Sequence, residues 1–143
     1  MQHDDGRQFF TIWFDRLWRK LDATVVDEMC QEDVRVWGLD GYRDGRAQFL
    51  EFYQALLAAF PTGLDVVVDE ALARDDTVMA RCTARGQARN GSTASFTGFV
   101  QAKIVDGRMV EVWNCWDFMT MLEQCNALGP GTLASGFGAI AAT

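Results

Sequence analysis

The chain has 143 residues, 49% hydrophobic and 12% aromatic, which suits one buried core and is short for two. Thirteen basic against twenty acidic residues leave a net charge of -7, which repels phosphate backbones and anionic headgroups, so neither a nucleic acid nor a membrane surface is an expected partner. No apolar run reaches the ~20 residues of a spanning helix, and the start Met1-Gln2-His3-Asp4-Asp5 is acidic where a secretory signal is basic, so a cytoplasmic protein is expected.

Phe9, Phe10, Trp13, Phe14, Leu17, Trp18 and Leu21 recur three or four positions apart and predict a helix over 7–22 with one apolar face. A second short helix is expected over 23–30. Residues 33–38 alternate like a short strand, and the glycines and aspartates of 39–45 mark a loop. Asp44 is placed to cap a helix over 45–60, where Phe49, Phe52, Tyr53, Leu56, Leu57 and Phe60 repeat at helical period. Pro61-Thr62-Gly63 ends that helix.

From Leu64 the period changes to two. Strands are predicted at 64–73, 76–89, 93–105 and 108–118, divided by Asp75-Asp76, Asn90-Gly91 and Asp106-Gly107. Tight turns between long alternating runs make an antiparallel meander. Helices followed by a sheet they can cover define an α+β domain. The Gly/Ala-rich end of the chain reads as a loosely ordered tail.

Chemistry-bearing residues are few. Cys30, Cys82, Cys115 and Cys125 lack CxxC spacing and only His3 could assist them, which disfavours zinc, a Cys-His dyad and a Ser-His-Asp triad. The four cysteines read as buried free thiols. With no ligand cluster and no phosphate-binding glycine motif, neither a metal nor an organic cofactor is expected.

The most distinctive stretch is Val105-Asp106-Gly107-Arg108-Met109-Val110-Glu111-Val112-Trp113, with Asp117-Phe118 and Leu122-Glu123-Gln124 after it. On these residues, and on the order of elements before them, the chain resembles the SnoaL-like polyketide cyclase family of the nuclear-transport-factor-2-like superfamily. The resemblance covers about 7–128, leaving 1–6 and 129–143 as flexible or loosely ordered termini. It implies a cone in which N-terminal helices pack on a strongly curved antiparallel sheet and enclose an apolar pocket. It also implies a homodimer through the convex face of the sheet, where Ala80, Cys82, Ala84 and Phe99 could supply a flat apolar patch.

That superfamily hosts several reactions as well as non-enzymatic binders, so site residues must decide. SnoaL-type cyclases carry an acid/base Asp directly after the tryptophan matching Trp113 and a His on the neighbouring strand; this chain has Asn114 and Val100. The more distant limonene epoxide hydrolase pattern is also incomplete, since Arg81-Cys82-Thr83 keeps its Arg and replaces its Asp. An amide cannot take a proton at neutral pH, but it can donate to a carbonyl or enolate oxygen. Asp117 either replaces the missing base, its pKa raised beside Trp116 and Phe118, or caps the helix that follows. Arg81 either holds an anionic group of a ligand or lies exposed beside an acid.

Trp13 and Trp37 are expected to wall the pocket by the resemblance, with Tyr53, Val100, Val112 and Trp116 beside them. Glu111 shares the parity of Trp113 and is expected on the opposite face from Asn114. Two functions fit this set. One is a cofactor-free cyclase, isomerase or dehydratase acting on a hydrophobic carbonyl compound, with Asp117 moving the proton and Asn114 and Arg81 stabilising the enolate. The other is a non-catalytic protein that binds a small hydrophobic or aromatic molecule.

Overall fold

The computed structural model describes residues 2–143, with side chains from Gly6 onward, so the side chain of His3 lies outside the described residues. Helix α1 (Gln2–Phe14) runs directly into a π-helical turn, Asp15–Arg19. Phe10, Trp13, Phe14, Leu17 and Trp18 form its buried stripe, as the spacing predicts. Leu21 falls off the stripe and is exposed, because the chain reverses there with a φ of 56°. The wide turn leaves carbonyls that other elements satisfy: the Tyr53 hydroxyl donates to Leu17 O at 2.7 Å and Leu64 N–H donates to Trp18 O at 2.9 Å.

After α2 (Thr24–Met29) come β1 (Cys30–Trp37), the short β2 (Arg43–Asp44) and α3 (Gly45–Ala59). Asp44 stands at the N-cap of α3, but its side chain makes no capping bond; its own backbone N–H donates to Gln48 Oε1 at 2.8 Å instead. The meander follows the predicted spans closely as β3 (Asp65–Arg74), β4 (Thr77–Gln87), β5 (Thr93–Val105) and β6 (Arg108–Trp116). Non-glycine residues at positive φ, Asp75 and Asp106, sit in two of the turns, where a short polar side chain tolerates that geometry.

The sheet order is β2-β1-β6-β5-β4-β3. The α+β architecture is as expected, but the sheet is mixed rather than wholly antiparallel, since β1 pairs with β6 in parallel. The chain between them is long enough to return in either direction, so no tight turn dictates the antiparallel choice. Bulges interrupt β1, β3 and the β5–β6 pair. At the β3 bulge, Arg7 donates to Val68 O at 2.5 Å and to Asp69 O at 3.1 Å, tying α1 to the sheet edge.

One face of the sheet is covered by α1 and α3. Val34, Val36, Val78, Ala80, Cys82, Ala84, Val100 and Val112 point into that core. Ala80, Cys82 and Ala84 therefore do not form the outer patch expected of them: they are buried in the same core as the large aromatic side chains of α1, where close packing suits small residues. The outer face carries Met79, Phe99 and Trp113, all exposed.

Helix α4 (Phe118–Gln124) closes the sheet's open margin. β6 ends opposite Gly98, which leaves the start of β5 without a partner strand on that side. The gap is filled from α4: Asp117 N–H donates to Thr97 O at 2.9 Å, while the Gln124 amide accepts from Ser95 N at 2.8 Å and donates to Ser95 O at 3.0 Å. The tail carries a further helix, α5 (Thr132–Ala141), with no buried residue. Among the described residues no helix is long and apolar enough to cross a membrane.

Candidate functional site

Between the helices and the inner sheet face lies a narrow cleft of about 50 Å³. Trp13, Phe14 and Trp18 come from α1 and its π turn, Phe49, Phe52 and Leu56 from α3. Ala84, Phe96 and Trp116 form the sheet wall, and Leu39 and Phe118 stand in the connections on either side. The rings interlock: Trp116 meets Phe14 edge-on at 6.0 Å and Phe96 at 6.2 Å, and Trp13 lies 5.7 Å from Phe49.

Asn114 is the one lining residue that is neither aliphatic nor aromatic. It is held from both ends. Its Nδ2 donates to the Trp37 carbonyl at 3.2 Å, and its Oδ1 accepts from Trp116 Nε1 at 3.0 Å. A primary amide has two N–H groups and two acceptor lone pairs, so one of each has no partner among the described residues. Two glycines allow this arrangement. Gly38, at φ 85°, lets the end of β1 approach β6 where a Cβ would overlap the Asn114 carbonyl, and at Gly98 a Cβ would overlap the Trp116 ring.

A smaller cavity of about 30 Å³ adjoins the cleft. Val100 and Val112 line it, and Trp13, Phe14, Phe49 and Asn114 border both spaces. Trp13, Trp116 and Asn114 thus meet around the cleft, with Val100 and Val112 next door.

The remaining candidates lie elsewhere. Asp117 is exposed and caps α4, accepting from Thr120 N at 3.1 Å and from the Thr120 hydroxyl at 2.7 Å. Arg81 is on the outer face, because β4 turns its odd residues outward while Ala80 and Cys82 point in; its guanidinium is 4.0 Å from Glu70. Trp37 is also outward by strand parity, stacked on Trp113 at 4.2 Å and 9° with Tyr42 5.2 Å away, and it reaches the site through its carbonyl alone. Tyr53 is buried behind the cleft wall, 4.8 Å from Trp18, with its hydroxyl on Leu17. Burial, and then Asp22, push its phenol pKa up.

Glu111 lies outward, as parity predicts, 3.0 Å from Arg35. Burial pushes the Cys30 and Cys82 thiols up to about 12, so neither is a nucleophile. Cys115 departs from the reading of four buried thiols, being exposed on the outer face next to Trp113. Sequence reasoning missed Phe49, Phe96 and Phe118 as lining residues. Their signal was present as helical and alternating periodicity, which does not separate a cleft wall from a filled core.

The architecture defines a class: helices packed on one face of a six-stranded mixed sheet, with an aromatic-lined cleft between the two layers. The chain belongs to the SnoaL-like polyketide cyclase family, whose model matches residues 10–125. Solved structures agree in fold. Wild-type IdmH from Streptomyces antibioticus, a proposed polyketide cyclase, is 24% identical over 88% of this chain and 99% of its own, with a TM-score of 0.71. AclR from Streptomyces galilaeus, a proposed hydroxylase, is 19% identical over 98% and 94%, with a TM-score of 0.75. TerC, co-crystallised with polyporic acid, is 18% identical over 83% and 96%, with a TM-score of 0.72. No curated protein matches the sequence.

Proposed function

We propose that the cleft takes up a hydrophobic, carbonyl-bearing compound of polyketide type and promotes its ring closure without a cofactor. Aromatic walls hold a flexible chain of carbonyls in a folded shape, which removes the orientational part of the barrier. Asn114 supplies a hydrogen bond to the carbonyl or enol oxygen as charge develops there, and the proton lost from the α-carbon passes through solvent water to the new alkoxide as the carbon–carbon bond forms, since no lining side chain can carry it. The observation that carries this reading is the placement of Asn114, a fixed amide with one N–H unpartnered among the described residues, among side chains that are otherwise aliphatic or aromatic. Asp117 and Arg81 take no part in it, the first being engaged in a cap and the second lying on the far face.

A second reading is a binding protein that performs no chemistry. It is favoured by one observation: no residue lining the cleft is titratable, so the walls hold no acid or base of their own.

The test is a tryptophan-fluorescence titration with a neutral tricyclic aromatic ketone, followed by incubation with a linear poly-carbonyl substrate and mass analysis. Saturable quenching, with affinity about tenfold weaker in Asn114→Leu (~1.4 kcal/mol), is expected. A ring-closed product supports the cyclase, tight binding without turnover supports the second reading, and no saturable quenching overturns both.

The same reading gives the outer face to a second copy of the chain. Support comes from Trp113, Phe99 and Met79, which stand exposed together on neighbouring strands with Arg81 and Glu111 among them. A homodimer mass in light scattering, lost on Phe99→Asp, is expected.

A further inference from the structure

Helix α5 differs in kind from the others. Its ten residues, Thr132–Ala141, contain no charged side chain, hold Gly136 and Gly138 in the interior and bury nothing. A free helix shorter than ~12–15 residues is marginal in water even when alanine-rich, and each interior glycine costs about 1 kcal/mol more than alanine. Such a helix needs a surface to pack on. Leu133, Phe137 and Ile140 lie four and three positions apart on one side of it and are 54%, 65% and 72% exposed.

A matching surface lies just upstream. A groove of about 350 Å³ runs between the end of α3, the β4–β5 turn and α4. Ala58, Phe60, Ala88, Met121, Leu122 and Cys125 line it, and Asn90 ties one side to the other by donating to Cys125 O at 2.8 Å. Ala127 forms its rim, so only residues 128–131 separate the groove from α5. Four extended residues reach at most about 14 Å, and this link includes Gly129, Pro130 and Gly131, the last already at φ 75°. Thr132 N–H donates to Glu123 Oε1 at 3.2 Å, which pins the start of α5 beside α4 and makes a pivot.

We propose that α5 is a strap that swings about the pivot at Gly131 and Thr132 and seats Leu133, Phe137 and Ile140 in the groove of its own subunit. The short tether makes docking intramolecular and favours this groove over that of a second copy. A bilayer is a poor alternative, because the chain has no Lys or Arg after Arg108 to meet anionic headgroups.

The test is hydrogen–deuterium exchange with mass detection on the full chain at two protein concentrations. It compares the wild type with Phe137→Ser/Ile140→Ser, both exposed positions, and with Ala58→Glu, which enters the groove from the other side. In the wild type the α5 amides should exchange at least roughly tenfold more slowly than unstructured chain at both concentrations. Both variants should release that protection, and the double variant should also speed exchange in peptides covering 55–60 and 119–125. Exchange of α5 at the unstructured rate in the wild type overturns the proposal. So does protection seen only at the higher concentration with a doubled mass, or release of α5 with the groove peptides unchanged.

Discussion

The two faces of β6 carry the same kind of residue to different ends. Inward, Asn114 and Trp116 are locked to each other and to β1, and the indole is packed among Phe14, Phe96 and the flat backbone at Gly98. Outward, Trp113 lies face to face on Trp37 with half of its surface exposed, beside the Arg35–Glu111 pair. The inner tryptophan is positioned by a hydrogen bond at its edge and sterics at its face. The outer one has only stacking, and so contributes area rather than geometry.

That contrast can be broken most strongly at Gly98. Gly98→Val forces a branched side chain into the Trp116 ring, and a loss of about 3 kcal/mol is expected in urea unfolding, together with loss of ligand-induced quenching. Asn114→Leu comes next. It keeps the volume but leaves the Trp37 carbonyl and the Trp116 N–H without partners, at about 2 kcal/mol, with a red shift in the emission of a tryptophan whose clamp is gone. On the other face, Trp113→Ala should cost only about 1 kcal/mol and leave ligand affinity unchanged, while a shift from dimer to monomer in light scattering would report the surface role.

The smallest effect is one of pH. The Arg19 hydrogen bond holds the Asp15 carboxyl below its ordinary value, Thr24 and then Arg16 do so for Asp22, and Arg43 for Asp40. Because these folded-state values are depressed, their contribution is present above the unfolded value of about 3.9 and is lost as pH falls through the folded ones. Melting temperature should therefore decline below about pH 4. Affinity for a neutral ligand should stay flat from about pH 5 to 8, since no lining residue is titratable; a sigmoidal affinity profile in that range would contradict the account of the cleft.

Much of the fold was legible because turn chemistry and periodicity are local. Asp75-Asp76, Asn90-Gly91 and Asp106-Gly107 bound the strands where they were expected, and the parity of Glu111 and Trp113 followed from alternation. The parallel β1–β6 pairing was not legible, because nothing local in residues 30–37 states which strand they will meet. The face of β4 was misjudged for a related reason. Ala80, Cys82 and Ala84 are small and apolar on either reading, and only their burial in one core with Phe10 and Phe14 shows that they point inward. Of the site, Asn114, Trp13 and Trp116 could be named in advance. Trp37 was named as a wall, but its ring lies outward on Trp113 and it reaches Asn114 only through a backbone carbonyl, which no side-chain pattern announces.

The bond from Asn114 to Trp37 joins positions 77 residues apart. On a growing chain α1, α2, α3 and the β3–β4–β5 meander all precede β6, so β1 waits for the strand that will lie parallel to it, and contacts of such separation form late because a long loop must close first. Most of the cleft's walls therefore precede Asn114, with only Trp116 and Phe118 after it, and a chain stopped short of β6 would expose an aromatic trough with no latch. During synthesis, it is this interval, rather than the finished protein, that gives the molecule its greatest exposure to misassociation.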